Sequence, residues 1–183
     1  FAGRGLRRFG LRRGTDGVKA LRLIDRVRDK LPDVALRTSL IVGFPGEGRR
    51  EFAALRRFVE AARFDHLGVF AYSPEAGTPA VRLRETVSEA EKEARRREIM
   101  ELQAGLSRRA NARRIGRTID VLVEGPDPEK PGLWTGRGRF QAPEADGTVR
   151  FGLPSGMTEP PAAIVPVLIA SAGDHDLEGR LAG

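Results

Sequence analysis

The sequence predicts an α/β module followed by an all-β one: parallel βα units, a long linker helix, then a small five-stranded antiparallel barrel. Three observations carry this reading. In the first half, helical apolar spacing alternates with short continuous apolar runs. Near the middle, an arginine- and glutamate-rich stretch keeps a helical period over residues 88–114. After Gly116 the apolar period drops to two, the repeat of strands with one buried face.

Val18, Leu21, Ile24, Val27 and Leu31 fall at intervals of three and four, which predicts an amphipathic helix over residues 17–31. Asp16 is its expected N-cap and Pro32 its stop. A mostly apolar run, residues 35–43, predicts a buried strand ending in the turn Gly43-Phe44-Pro45-Gly46-Glu47. Phe52, Leu55, Phe58, Val59 and Ala62 form the stripe of a second helix, and residues 66–72 read as another buried strand. Helix, strand, helix, strand is the order of parallel packing with helices over a sheet. Two strands make no stable sheet alone, so neighbouring strands are expected upstream of Phe1.

In residues 88–114, Ser88 and Glu91 have capping-box spacing, and Ala94, Ile99, Leu102, Leu106 and Ala110 trace an apolar stripe. Glu91–Arg95 and Glu93–Arg97 are i,i+4 pairs in the favourable order. At 1.5 Å per residue such a helix spans about 40 Å, enough to link two domains, with Gly116 as the expected boundary. Beyond it, Ile119, Val121 and Val123 alternate with polar or outward residues, and residues 133–140, 148–151, 163–170 and 177–181 complete about five short strands. Short strands between turns rich in Gly, Pro and Asp predict the barrel. Pro166 cannot donate to a ladder and is expected at an edge or a bulge.

Composition narrows the function classes. The chain has 183 residues, 40% hydrophobic and 31% charged, in the range of folded proteins. No apolar run of about 18 residues is present, and the first 14 residues hold five arginines without an apolar core, so neither a membrane span nor a secretory signal is predicted. There are no cysteines, which excludes disulfides, thiolate zinc sites, a cysteine nucleophile and a cysteine-ligated iron–sulfur cluster within these residues. With only His66 and His175, a self-contained transition-metal site is not expected. The chain starts at Phe1, and its opening, FAGRGLRRFGLRRG, is too basic and glycine-rich to begin a packed domain. It therefore reads as the C-terminal part of a longer protein.

Charge is split. Residues 116–183 carry six basic and ten acidic side chains, a net of −4, which leaves +11 of the total +7 on residues 1–115. The positive half has two readings: solvated helix faces interleaved with glutamates, or a groove that faces a polyanion.

The segment that points to chemistry is ALRTSLIVGFPGE, a strand running into a glycine-flanked turn that opens a helix. In α/β barrels the C-terminal strand ends build the active site. Gly43 and Gly46 let backbone approach a ligand, and Pro45 stiffens the turn. Read structurally, the same turn is a tight connection, Arg37 a salt-bridged strand end and Ile41 core. Tyr72-Ser73-Pro74-Glu75-Ala76-Gly77-Thr78-Pro79 leaves the second strand on the same rim, and two irregular loops on one rim favour a ligand site over either loop alone.

LRTSLIVGFPGE followed by FDHLGVFAYSPEAGTPA closely resembles the methylthiotransferase branch of radical SAM enzymes. The Arg/Glu helix ending in LQAGLS and the five-strand segment resemble that family's linker and TRAM domain, so the likeness covers residues 11–183. FDHLGVFAYSPEAGT looks most like the branch that thiomethylates the β-carbon of an aspartate in the twelfth protein of the small ribosomal subunit; the tRNA-modifying branch carries an arginine where this sequence has Glu75. The resemblance implies residues 1–87 as the C-terminal part of a radical SAM (TIM-like) barrel, 88–115 as linker helix and 116–183 as TRAM domain. It implies S-adenosyl-L-methionine as cofactor, and two [4Fe–4S] clusters whose cysteines lie outside this chain, so no catalysis is expected from these residues alone.

Carried over by position, the resemblance implies Ile41, Val42 and Gly43 as the strand lining the adenosyl pocket, with Phe44, Pro45, Gly46 and Glu47 as its turn. Phe70, Tyr72 and Ser73 match the last barrel strand, and Arg37 and Thr38 a pair near the pocket entrance. Adenine needs a flat apolar slot and backbone hydrogen bonds, so small and apolar residues suffice. One departure stands out: Gly48, Arg49 and Arg50 replace the usual threonine and acidic residues. Glycine caps a helix less well than threonine, and cations oppose the dipole there by about 0.3–1 kcal/mol each.

The implied partner is a basic ribosomal protein of the small subunit, in the cytoplasm, with no membrane involved. RNA is the less favoured partner, because phosphate contacts need a basic face and the last 68 residues are acidic, with few aromatics to stack bases. An acidic surface suits a basic protein. A local basic patch of Arg137, Arg139 and Arg150 on paired strands is the opposing reading. The alternatives to carry are a fragment of a tRNA adenosine methylthiotransferase and a non-catalytic TRAM-type binding module.

Overall fold

The computed structural model describes residues 17–83, 87–143 and 145–182. They divide into two compact units, with the division after Gln103, inside a long helix. The expected N-cap Asp16 and the basic opening lie outside the described residues.

The first unit contains α1 (Gly17–Lys30), β1 (Arg37–Val42), α2 (Arg49–Ala62), β2 (His66–Ala71), a 3₁₀ turn (Pro79–Arg82) and the start of α3 (Glu89–Ala112). The α2 stripe forms as its spacing predicts: Leu55, Phe58, Val59 and Ala62 are buried, and Phe58 packs on Phe64 with centroids 5.9 Å apart. The α1 stripe is only half realised. Leu21, Ile24 and Val27 are half-buried, while Val18 and Leu31 at its ends are exposed. Arg28 of α1 donates to Ala62 O at 2.7 Å and Arg63 O at 2.6 Å, satisfying carbonyls that the end of α2 leaves without intrahelical partners. Arg63 itself closes α2 in the left-handed region at φ 48°.

Helix α3 starts where predicted, with Ser88 Oγ accepting from Glu91 N at 3.2 Å. One expectation about it is refined and one corrected. Glu93 makes two hydrogen bonds of 2.8 and 2.7 Å to Arg96, whose guanidinium fork grips both oxygens, while the expected partner Arg97 acts on the same carboxylate through its charge. Ala94 is exposed, and the buried face instead runs through Lys92, Arg95, Ile99, Gln103 and Leu106. Gln103 Nε2 donates to Phe64 O at 2.8 Å.

The second unit is a closed barrel of β3 (Thr118–Pro126), β4 (Leu133–Gly138), β5 (Val149–Gly152), β6 (Ile164–Ala172) and β7 (Leu177–Leu181), ordered β3-β4-β5-β7-β6 around the ring. The all-antiparallel expectation fails at one seam: β5 and β7 run parallel, Val149 opposite Leu177 and Gly152 opposite Arg180. Parity requires this. A closed ring with an odd number of strands cannot alternate direction all the way round. Val121, Val149, Phe151, Val165, Val167, Ile169, Leu177 and Leu181 fill the interior, as the period of two predicts.

Pro166 is at neither an edge nor a bulge: it faces Asp120 within the β3–β6 ladder, and the bulges fall between Val123 and Gly125 and between Ile169 and Ser171. Its carbonyl accepts from Ala182, one residue beyond β7, so the missing N–H falls where a ladder ends.

Candidate functional site

β1 and β2 are parallel neighbours, with Arg37 opposite His66 and Val42 opposite Ala71. The loops that leave them, residues 43–48 and 72–78, therefore start side by side on one rim. The pleat sorts the sequence-predicted residues onto two faces. Arg37, Ile41 and Phe70 share one face, where Ile41 and Phe70 are register partners, 56% and 59% exposed, beside the bare backbone of Gly68. Ile41 is thus not core. Thr38 and Val42 lie on the other face, and Val42 is fully buried.

Arg37 and Thr38 are not brought to the rim. They open β1 while the loops follow its other end, and at about 3.3 Å per residue the strand separates the two by about 15 Å.

The first loop is built by its own sequence. Glu47 N donates to Phe44 O at 2.8 Å, closing a turn with Pro45 second and Gly46 third at φ 90°. That is the type II arrangement, which needs a positive φ at its third residue. Glu47 then folds back into the protein: its buried carboxylate accepts from Gly43 N at 2.8 Å and from Arg95 Nη1 at 2.8 Å. Arg95 also donates to Glu47 O at 2.8 Å and pairs with Glu91, while its guanidinium lies 5.2 Å from the Phe52 ring centroid. Burial works against the Arg95 charge, but Glu47 and Glu91 outweigh it and hold the guanidinium above its usual range. At the expected weak cap, Gly48 N donates to Glu51 Oε2 at 3.1 Å, the half of a capping box that the N3 glutamate makes, while glycine has no side chain to accept from the first-turn N–H as threonine would.

The second loop is held from the same helix. Tyr72 N extends the ladder to Val42 O at 2.9 Å, and its ring meets Phe44 edge-on, centroids 5.1 Å apart. Lys92 is fully buried; its Nζ donates to Tyr72 O at 3.0 Å and pairs with Glu89 at 2.6 Å. Its stem fills the space that Gly43 opens, since a Cβ at Gly43 would sit 2.3 Å from Lys92 Cγ. The close approach that Gly43 permits is therefore made from within the chain. At Gly46 nothing lies within 4 Å of such a Cβ, and Ser73 is exposed. The buried Tyr72 hydroxyl has no hydrogen-bond partner among the described residues.

Lys92 and Arg95 are the site residues that sequence reading missed. Their signal was positional: Lys92, Arg95, Ile99, Gln103 and Leu106 recur at three and four, a helix face with polar members.

The chain's fit to the implied cofactors divides. Without cysteine it offers no thiolate for an iron–sulfur cluster. The apolar Ile41–Phe70 step, the open Gly46 and the unpaired Tyr72 hydroxyl fit a nucleoside, which asks for a flat apolar slot with a few polar contacts.

On the barrel, two of the three arginines that suggested a basic patch, Arg137 and Arg150, are matched by carboxylates, and so is the neighbouring Lys130. Arg150 bridges Asp127 and Asp176 at 2.7 Å each, Arg137 pairs with Glu124 at 3.0 Å and Lys130 with Glu178.

Residues 115–182 match the TRAM domain family. Over 168 residues, 92% of this chain, the sequence is 48% identical to the ribosomal protein uS12 methylthiotransferase RimO of Syntrophobacter fumaroxidans. Identity to the protein of that name from Nitratidesulfovibrio vulgaris is 50% over 85% of the chain, and to that from Prochlorococcus marinus 48% over 87%. The chain spans little more than a third of the length of these relatives, 37%, 36% and 34% respectively.

Proposed function

The chain belongs to the RimO family of ribosomal protein uS12 methylthiotransferases, and from that premise we propose that it is the part of such an enzyme that supplies a nucleoside-binding rim and a substrate-facing TRAM domain. The substrate is the aspartate of the twelfth small-subunit ribosomal protein, modified in the cytoplasm at its β-carbon. Residues 1–87 serve as the last βα units of a radical SAM barrel, residues 88–115 as the linker and residues 116–183 as the TRAM domain. Cluster ligands come from outside these residues, and the chain alone is inactive.

One observation carries the reading: β1 and β2 are adjacent and parallel, so the two irregular loops and the exposed Ile41–Phe70 step share a rim and a face. S-adenosyl-L-methionine, when bound, supplies the radical chemistry and the methyl group. The chain's own part is binding and orientation. Ile41 and Phe70 offer the apolar surface, the backbone of residues 43–46 and 72–73 the polar contacts, and the Tyr72 hydroxyl a donor left free for a ligand acceptor. The barrel's paired arginines support a protein partner over RNA, since cations already neutralised by carboxylates have little left for phosphates.

The test is a chimera in which this chain replaces the matching third of the Syntrophobacter relative. Expressed in cells lacking their own enzyme, it is expected to leave one methylthio group on the ribosomal protein's aspartate, read by mass spectrometry. A folded chimera that leaves the aspartate unchanged sinks the proposal, and altered tRNA adenosine in the same cells would replace it with the tRNA reading.

A further inference from the structure

Helix α3 meets both rim loops through two cations one turn apart, and the contacts are divided between them. Arg95 holds the first loop, at Glu47 O and at the Glu47 carboxylate that in turn holds Gly43 N. The Lys92 ammonium holds the second, at Tyr72 O. Each cation is buried, and each is backed by an i,i+3 or i,i+4 glutamate on its own helix, Glu89 for Lys92 and Glu91 for Arg95. A buried cation with two fixed acceptors has little freedom left, so the carbonyl it holds is held in turn.

We infer that Lys92 and Arg95 are positioning residues, each fixing one rim loop independently of the other, so that the start of the linker helix sets the shape of the ligand site. The inference rests on the nucleoside reading above only for what the loops bind. Lys92 has a further part: its apolar stem packs on Gly43 while its head holds Tyr72, so stem and charge act on different loops.

Hydrogen exchange on the 183-residue chain separates these roles. Lys92→Met keeps a stem of similar length and removes the charge, and is expected to speed exchange in residues 72–78 by about tenfold, the worth of one hydrogen bond to a charged group, with residues 43–48 unchanged. Arg95→Met is expected to do the reverse. Arg56→Ala, which breaks a surface pair with Glu98 and touches neither loop, changes neither. Glu89→Gln and Glu91→Gln weaken the same two cations from the exposed side and are expected to show the same loop selectivity at smaller size, which keeps the test intact if a methionine variant does not fold. Acceleration of both loops by either variant, or of neither, overturns the inference.

In the chimeric enzyme, Lys92→Met is expected to raise KM for S-adenosyl-L-methionine about tenfold with kcat held, because a loosened loop weakens binding without touching the reacting atoms. An equal fall in kcat with KM fixed counts against positioning. If the unsubstituted chimera shows no dependence on S-adenosyl-L-methionine while the exchange pattern is loop-selective, the nucleoside reading fails and the division of labour stands.

Discussion

Substituting Gly43 by alanine tests the packing at the rim most directly. Two costs can be read from the structure. Gly43 has φ 72°, and a residue with a Cβ pays about 1–2 kcal/mol in that region. The new Cβ would also lie 2.3 Å from Lys92 Cγ, where carbon atoms rest at about 3.5–4.0 Å. Lys92 is fully buried with its ammonium anchored at Tyr72 O and Glu89, so it has nowhere to retreat. Such overpacking costs about 1–3 kcal/mol. Gly43→Ala is therefore expected to destabilise the first unit by about 2–5 kcal/mol in total.

The cycle with Lys92→Ala divides that total. In the Lys92→Ala background the overlap is gone and only the backbone cost of about 1–2 kcal/mol remains, so the two substitutions should be sub-additive by about 1–3 kcal/mol. Urea unfolding followed by far-ultraviolet circular dichroism reads the helices of the first unit. Fluorescence of Trp134, the sole tryptophan, packed against the barrel core, reads the second and should not move. Strict additivity would refute the claim that Gly43 is glycine because Lys92 lies against it.

Three further outcomes follow from the same coordinates. Arg95→Met strands the buried Glu47 carboxylate and should cost about 3–5 kcal/mol in urea unfolding, whereas the double change Arg95→Met with Glu47→Gln, which leaves no charge behind, should cost less than Arg95→Met alone. On the barrel, the N–H of Glu129, then that of Lys130 and the Arg150 side chain, hold the Asp127 carboxyl below its usual range, and Arg108 does the same for Asp174. Depressed carboxylates contribute stability above their unfolded value of about 4 and lose it as pH falls through the lower folded value, so the Trp134 transition should weaken on acidification below about pH 4, less steeply in Asp127→Asn. Gly136→Ala drives a Cβ to 2.3 Å from Leu122 O, a backbone atom that cannot rotate away, and should abolish the cooperative Trp134 transition.

What could be read from the sequence was what periodicity encodes. The α2 stripe, the two parallel strands and β7 follow directly from apolar spacing, and the shared rim of the two loops follows from the strand order. What escaped was whatever depends on partners remote in sequence. Lys92 and Arg95 escaped because charge normally marks an outer face; their burial is decided by Tyr72, Glu47 and Gly43, which α3 meets only after folding. Glu93 chose Arg96 by side-chain geometry, which spacing alone does not rank. The parallel β5–β7 seam needed only the parity of a five-membered ring. Arg37 and Thr38 were drawn toward the site by motif position, although strand length alone sets them at its far end.

The surplus positive charge of the first half had two sequence-level readings, solvated helix faces and a polyanion groove. The structure supports a third use for several of these cations. Arg28 donates to the carbonyls that end α2, Lys92 to Tyr72 O, Arg95 to Glu47 O, and Arg114, at the far end of α3, to Ala110 O. In each case a long side chain satisfies a carbonyl that helix ends and irregular loops leave without a backbone partner. A chain with irregular loops accumulates such carbonyls, and arginine and lysine are the side chains long enough to reach them while bringing only donors. Cations spent on carbonyls still count in the net charge but are poorly placed to meet phosphates. Net charge in such a protein measures in part how much irregular backbone has to be tied down, and it overstates affinity for polyanions to that extent.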